Sequence, residues 1–259
     1  MRFGNKGTHW VELPAQEAVT ARHGAVSGNM REQIKKIPIL GNIARAIYWK
    51  IKGNRIKPKP FPGSEQYWKE RYSAGGNSGV GSYDKFAQFK AEVVNRFVVE
   101  HDVGTVIEFG CGDGNQLRLA DYPKYLGFDV SETALSLCKQ IFISDSSKTF
   151  KLMREYAMEK AHLALSLDVV FHLVEDECFL NYMRVLFGAA DRYVVVYSSD
   201  SDDNVGYEGT HIKHRKVTEW IQKNISGWVQ IEHIPNRYPY KGDYLTGSFA
   251  DFFIYKKSN

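Results

Sequence analysis

Between residues 105 and 115 an apolar run meets a glycine turn: Thr105-Val106-Ile107-Glu108-Phe109, then Gly110-Cys111-Gly112-Asp113-Gly114-Asn115. A short apolar run broken only by Glu108 suits a strand buried on both faces, as in a parallel sheet. Glycines just after it let the backbone turn tightly and approach another group closely. Such a turn at the carboxyl end of a first strand is where open α/β sheets bind ligands. This one segment excludes helical bundles and most all-β arrangements.

The rest of the chain repeats the alternation. A helix with Phe86, Phe89, Val93 and Phe97 on one face precedes the glycine segment. Segments 124–130 (KYLGFDV), 141–144 (IFIS), 162–170 and 192–199 read as strands two to five, with helical patterns at 131–140 and 175–188 between them. A helix at 217–225 and two strands at 228–234 and 250–257 close the chain. Strands alternating with helices predict a doubly wound α/β domain over 61–259. Its sheet should have seven strands, mostly parallel, with an antiparallel last strand.

The ligand class follows from the residues around the turn. From Gly110 the spacing is G-x-G-x-G, and Asn115 stands where the dinucleotide fingerprint needs its third small residue. Glu108 would repel a pyrophosphate but suits the cationic methionyl end of S-adenosylmethionine (SAM). Asp129 ends the second strand, about 20 residues on, where a carboxylate accepts hydrogen bonds from ribose hydroxyls. Together these favour SAM over a nicotinamide or flavin cofactor. Asp145, read as following the third strand, is either a partner for the adenine amino group or a solvated turn residue.

These residues resemble those of the class I SAM-dependent methyltransferases. VIEFGCGDG is similar to their first motif, YLGFDVS to their second and SLDVVFHLVEDE to their fourth-strand motif. More narrowly, YWKERY, GGNSGVGSY, EFGCGDGNQL and SLDVVFHLVEDE resemble a group of bacterial methyltransferases associated with polysaccharide biosynthesis, over residues 37–257. The resemblance implies a Rossmann-like class I methyltransferase fold and cofactor contacts from Glu108, Gly110, Gly112 and Asp129. The expected cofactor site also takes in Cys111, Asp113, Asn115 and Val130, with Trp68 and Tyr72 covering it from the N-terminal side. The implied reaction is O-methylation of a sugar hydroxyl, in a glycan or a glycosylated small molecule.

A hydroxyl acceptor needs its proton removed as it attacks. His172, just beyond the fourth strand, is the candidate base; alternatively it packs against the cofactor or caps the following helix. Asp168 binds the methionyl amino group or orients His172. Asp200, His211 and His214 are candidate acceptor contacts. Asp168 with the acidic run 200–204 offers a Mg²⁺ alternative, because oxygen ligands suit that hard cation; the site as read contains no metal.

Charge is concentrated before the catalytic region. Residues 30–60 hold nine Lys and Arg against Glu32 alone, a net +8. With +1 over residues 1–29 and +4 for the whole chain, residues 61–259 carry −5. Residues 1–29 read as a tail. Residues 30–60 read as a basic amphipathic helical extension, with Leu40, Ile43, Ile47 and Ile51 at helical spacing, ending in a Pro-rich linker. Through residues 31–59 it would either lie on an anionic membrane surface or pack on the domain. Three widely spaced cysteines and the lack of an apolar leader point to a reducing cytoplasm, with peripheral attachment to the inner membrane surface as an extension of that reading. Two alternatives to a glycan or small-molecule acceptor remain. One is nucleic acid, disfavoured because no [ND]PP[YF] tetrapeptide is present. The other is a non-catalytic SAM-binding adaptor.

Overall fold

The computed structural model describes residues 60–258. The expected tail and basic extension, residues 1–59, lie outside the described residues.

The described chain forms five helices and seven strands. Helix α1 (Ser64–Ser73) and α2 (Asp84–Glu100) come first, then β1 (Val106–Phe109) and β2 (Tyr125–Asp129). Helix α3 (Glu132–Ile141), β3 (Lys148–Leu152), β4 (Ala161–Leu167), α4 (Asp176–Gly188) and β5 (Ala190–Ser198) complete the alternation. Helix α5 (Val217–Asn224), β6 (Trp228–Ile234) and β7 (Asp251–Lys257) follow. The strand order is β3-β2-β1-β4-β5-β7-β6. Strands β1 to β5 are parallel, and β7 runs antiparallel to both β5 and β6.

Both faces of the central strands are covered, which explains their nearly unbroken apolar runs. On β5, Val195 joins Phe89, Val93 and Phe97 of α2 in one core layer. Its neighbours Val194 and Val196 join Phe179, Met183 and Leu186 of α4 in the other. The two-residue strand period thus distributes one valine run between two helix layers. Chain order reverses between β1 and β4, so their carboxyl ends open a crevice at the topological switch point.

The third strand is displaced from its expected place. IFIS is not a strand: Ile141 ends α3, and Ile143 is 83% exposed. The strand is KTFKL, at the sheet edge, where only Phe150 is buried. An edge strand buries little, so its apolar signal is weaker than that of the helix end before it. Among the described residues no helix is long and apolar enough to cross a membrane.

Candidate active site

The crevice at the ends of β1 and β4 holds a cavity of about 320 Å³. Its floor is the glycine turn, with φ of +87° at Gly110 and +61° at Gly112. A Cβ on Gly112 would lie 2.4 Å from Ser78 Oγ and 3.0 Å from the Tyr72 hydroxyl, so glycine is required for contact as well as for φ. The N–H groups of residues 110–112 are already paired. Gly110 and Cys111 donate to the Phe128 carbonyl at 2.7 and 3.0 Å, and Gly112 donates to Asp129 Oδ2 at 3.0 Å. Asp129 Oδ1 also accepts from Ser131 N–H at 2.9 Å. A carboxylate offers about four acceptor positions; with the backbone N–H groups of Gly112, Ser131 and Val130 directed at Asp129, about one remains.

Burial dominates the electrostatics. It pushes the Asp129 carboxyl up to about 6 despite its backbone hydrogen bonds. It pushes Glu108 up to about 7, opposed by the Tyr125 hydroxyl, which donates to Oε2 at 2.6 Å, and by the nearby Lys90 charge.

The roof is α1 with the loop that follows it. Trp68 and Tyr72 face the cavity from α1. Asp113 pins the loop: Oδ2 accepts from Ser78 N–H and from the Tyr83 hydroxyl, each at 2.9 Å. Ser78 Oγ in turn accepts from Asp113 N–H at 3.1 Å. At the start of α1, Ser64 N–H and Oγ donate to the Glu175 carboxylate at 2.9 and 2.6 Å. Gly81 lets this loop approach β4, since a Cβ there would fall 2.9 Å from Asp168 Oδ2.

His172, in a short turn after β4, forms part of the wall. Its Nδ1 donates to the His211 carbonyl at 3.0 Å, which leaves Nε2 as the lone-pair nitrogen. Trp68 meets it edge-on at 4.9 Å and His211 stacks on it at 5.1 Å. Loss of water in these surroundings holds its pKa down to about 3, outweighing the His211 carbonyl. The imidazole is therefore neutral throughout the physiological range.

Comparison with known proteins bears on this architecture. The chain matches no protein-family model, and no curated protein matches it. Solved structures do match. The N-methyltransferase NodS from Bradyrhizobium japonicum, in complex with S-adenosyl-L-homocysteine, superposes with a TM-score of 0.60 at 13% identity, over 76% of this chain and 100% of that one. Magnesium protoporphyrin IX methyltransferase from Synechocystis gives 0.56 at 15%, over 75% and 98%. The methyltransferase domain of bacterial CtHen1-C gives 0.52 at 18%, over 66% and 98%. The fold is that of the Rossmann-like methyltransferases.

On this methyltransferase fold the expected site residues divide. Glu108, Gly110, Cys111, Gly112 and Asp113 line the cavity from the β1 side. Asp129 and Val130 do so from β2, and Asp168 and His172 from β4. Asn115 stands behind the loop, its amide donating to the Ser82 carbonyl at 2.8 Å. Asp145 is not among the lining residues: it precedes β3, in an exposed turn, where Lys148 and Ser147 hold its carboxyl down to about 2. Met153, just after β3, lines the cavity from that strand instead. Asp200 is turned to α5, accepting from Thr218 N–H at 2.9 Å and Oγ1 at 2.6 Å. His214 is buried, with Nδ1 2.7 Å from Ser199 Oγ. His211 stacks on Tyr67 at 4.5 Å and on His172 without lining the cavity. The carboxylates weighed for a cation have other partners: Asp168 pairs with Lys90, Asp200 with Thr218, Asp202 with Lys216 at 3.3 Å, and Asp203 accepts from Val205 N–H at 3.1 Å.

Lys90 is the residue that sequence reasoning missed. It is buried on α2, and its Nζ lies 2.5 Å from Asp168 Oδ2. The signal was present, because Lys90 falls four residues after Phe86 and three before Val93, inside the apolar stripe of that helix. A lysine there must snorkel out or meet a buried partner.

Proposed function

We propose that this chain is a SAM-dependent methyltransferase that transfers the methyl group to a hydroxyl of a sugar, in a glycan or a glycosylated small molecule, with His172 as general base. The observation that carries the cofactor assignment is the pairing of the loop's N–H groups. Gly110, Cys111 and Gly112 donate to Phe128 and Asp129, so these three N–H groups are not free to form an anion nest for a pyrophosphate. What it presents instead is carboxylate, from Glu108 and Asp129.

The residues fit SAM. Asp129 keeps acceptor capacity for a ribose hydroxyl, and Glu108 offers negative charge to the cationic end. Gln116, also in the wall, has a buried Oε1 without a partner among the described residues, an acceptor for a ligand donor. When bound, SAM supplies an activated methyl on a sulfonium, so alignment with the acceptor provides much of the acceleration. The α1 roof, held by Glu175, and the loop after it, held by Asp113, cover one side of the cavity. His172, with Nδ1 bonded to the His211 carbonyl, presents Nε2 as a proton acceptor in a fixed tautomer. The sugar class is supported by the sequence resemblance to methyltransferases of polysaccharide biosynthesis.

The test is transfer of labelled methyl from SAM to cell-envelope extracts, with product identification, for the natural protein and for His172→Gln. Label in an ether-linked sugar methyl, lost in the variant, is the expected result. Label appearing only in added RNA would move the acceptor to nucleic acid, and binding of SAM without transfer to any pool would favour an adaptor.

A further inference from the structure

Five acids line the cavity: Glu65, Glu108, Asp113, Asp129 and Asp168. Among the described residues Lys90 is the only lysine or arginine in that wall. Its side chain is 1% exposed. A buried ammonium is costly unless it is paired, and an ammonium carries three donors. Asp168 takes one at 2.5 Å, and it is the only hydrogen-bond acceptor that Lys90 meets among the described residues. The Tyr197 ring lies 5.4 Å from Nζ and adds a cation–π contact without using a second donor.

The methionyl group of SAM is a zwitterion. In this wall its ammonium has several carboxylates to choose from, whereas its carboxylate has a single cation. Resting on the SAM reading above, we propose that Lys90 holds the methionyl carboxylate, with Asp168 as the positioning residue that aims the ammonium. Lys90 is then the specificity determinant by which the protein selects a donor that has kept its carboxyl group. A lysine serving only to join α2 to β4 has no reason to stand in the cavity wall with two donors unused.

Calorimetry on the full chain distinguishes these roles. The ligands are SAM, decarboxylated SAM and 5′-methylthioadenosine, which lacks the amino-acid moiety altogether. The natural protein should bind SAM about tenfold to a hundredfold more tightly than the decarboxylated form, the range of one charged hydrogen bond. Lys90→Met should abolish that preference and leave methylthioadenosine binding unchanged, and Lys90→Arg should restore part of it. Equal affinity of the natural protein for the first two ligands overturns the inference without needing any variant. So does a Lys90→Met protein that keeps the preference, or one that loses all three ligands alike. If the natural protein binds none of the three, the SAM reading itself fails and this inference falls with it.

Discussion

Glu108 is held in a position that stabilises a bound cation and destabilises the protein without one. Its folded-state pKa rises from 4.5 to about 7 because it is buried. For an acid with a raised pKa, the folded state holds the proton more tightly than the unfolded state. The protein therefore loses stability as pH rises from about 4.5 to about 7, and carries the full penalty above that. At about 1.4 kcal/mol per unit, the penalty is about 3 kcal/mol. Glu108→Gln removes the charge, and its amide oxygen can keep the hydrogen bond from Tyr125. The ligand-free variant should gain about 3 kcal/mol at about pH 8 and less than about 1 kcal/mol at about pH 5. For a domain of this size that is roughly 6–12 °C in Tm at the higher pH. SAM affinity should move the other way, falling about tenfold to a hundredfold with the loss of a charged partner. Thermal melts of both proteins at the two pH values, with calorimetry for SAM, provide the measurement. A variant no more stable than the parent at pH 8 would refute the burial argument. An equal gain at both pH values would show that packing, not ionisation, was the cause.

Further outcomes follow from the same geometry. Gly112→Ala should lose roughly 2–5 kcal/mol, combining about 1–2 for the left-handed backbone with about 1–3 for overpacking against Ser78 and Tyr72. Gly206→Ala, with φ +86° and open space around it, should lose only the first part in the same melts. Asp129→Ala should weaken SAM binding by about a hundredfold or more, because it removes the ribose acceptor and unpairs Gly112 and Ser131 N–H; at about pH 4, where burial of the charge no longer penalises the parent, it should also lower Tm, and a normal Tm there would remove the loop role. His172→Gln should lower kcat by about 10²-fold, the low end for general-base catalysis because a pKa held near 3 makes the imidazole a weak base, with SAM affinity intact. Since His172 has a pKa of about 3, kcat at saturating SAM should not fall through the usual histidine range as pH drops. KM for SAM should rise instead, as Glu108 and Asp129 take up protons near 7 and 6. A kcat that titrates near 6.5 and loses that step in the variant would contradict the loss of water around the His172 imidazole.

Local pattern alone determined the sheet and the location of the cavity. The apolar run at 106–109, the glycines after it and the strand–helix alternation are short-range features. A doubly wound sheet with its crevice at the end of β1 is the arrangement that satisfies them. Glu108, Gly112 and Asp129 reach the cavity because strand ends deliver them there whatever the distant packing. Expectations failed where a residue's surroundings come from far along the chain. Asp145 was placed by a strand misread at a weakly buried sheet edge. Asp200 looked like a cleft acid until α5 packed beside it and took both its oxygens. His172 lies next to β4 in sequence, but the loss of water that keeps it neutral comes from distant groups packed around it, Trp68 on α1 and the His211 ring beyond β5, and outweighs the His211 carbonyl. Lys90 and Asp168 are 78 residues apart, and only the packing of α2 on the sheet makes them a pair. Periodicity records which face of an element is buried. Which charged groups meet across the buried space, and hence their protonation and their ligand, is decided by tertiary contacts that no local spacing encodes.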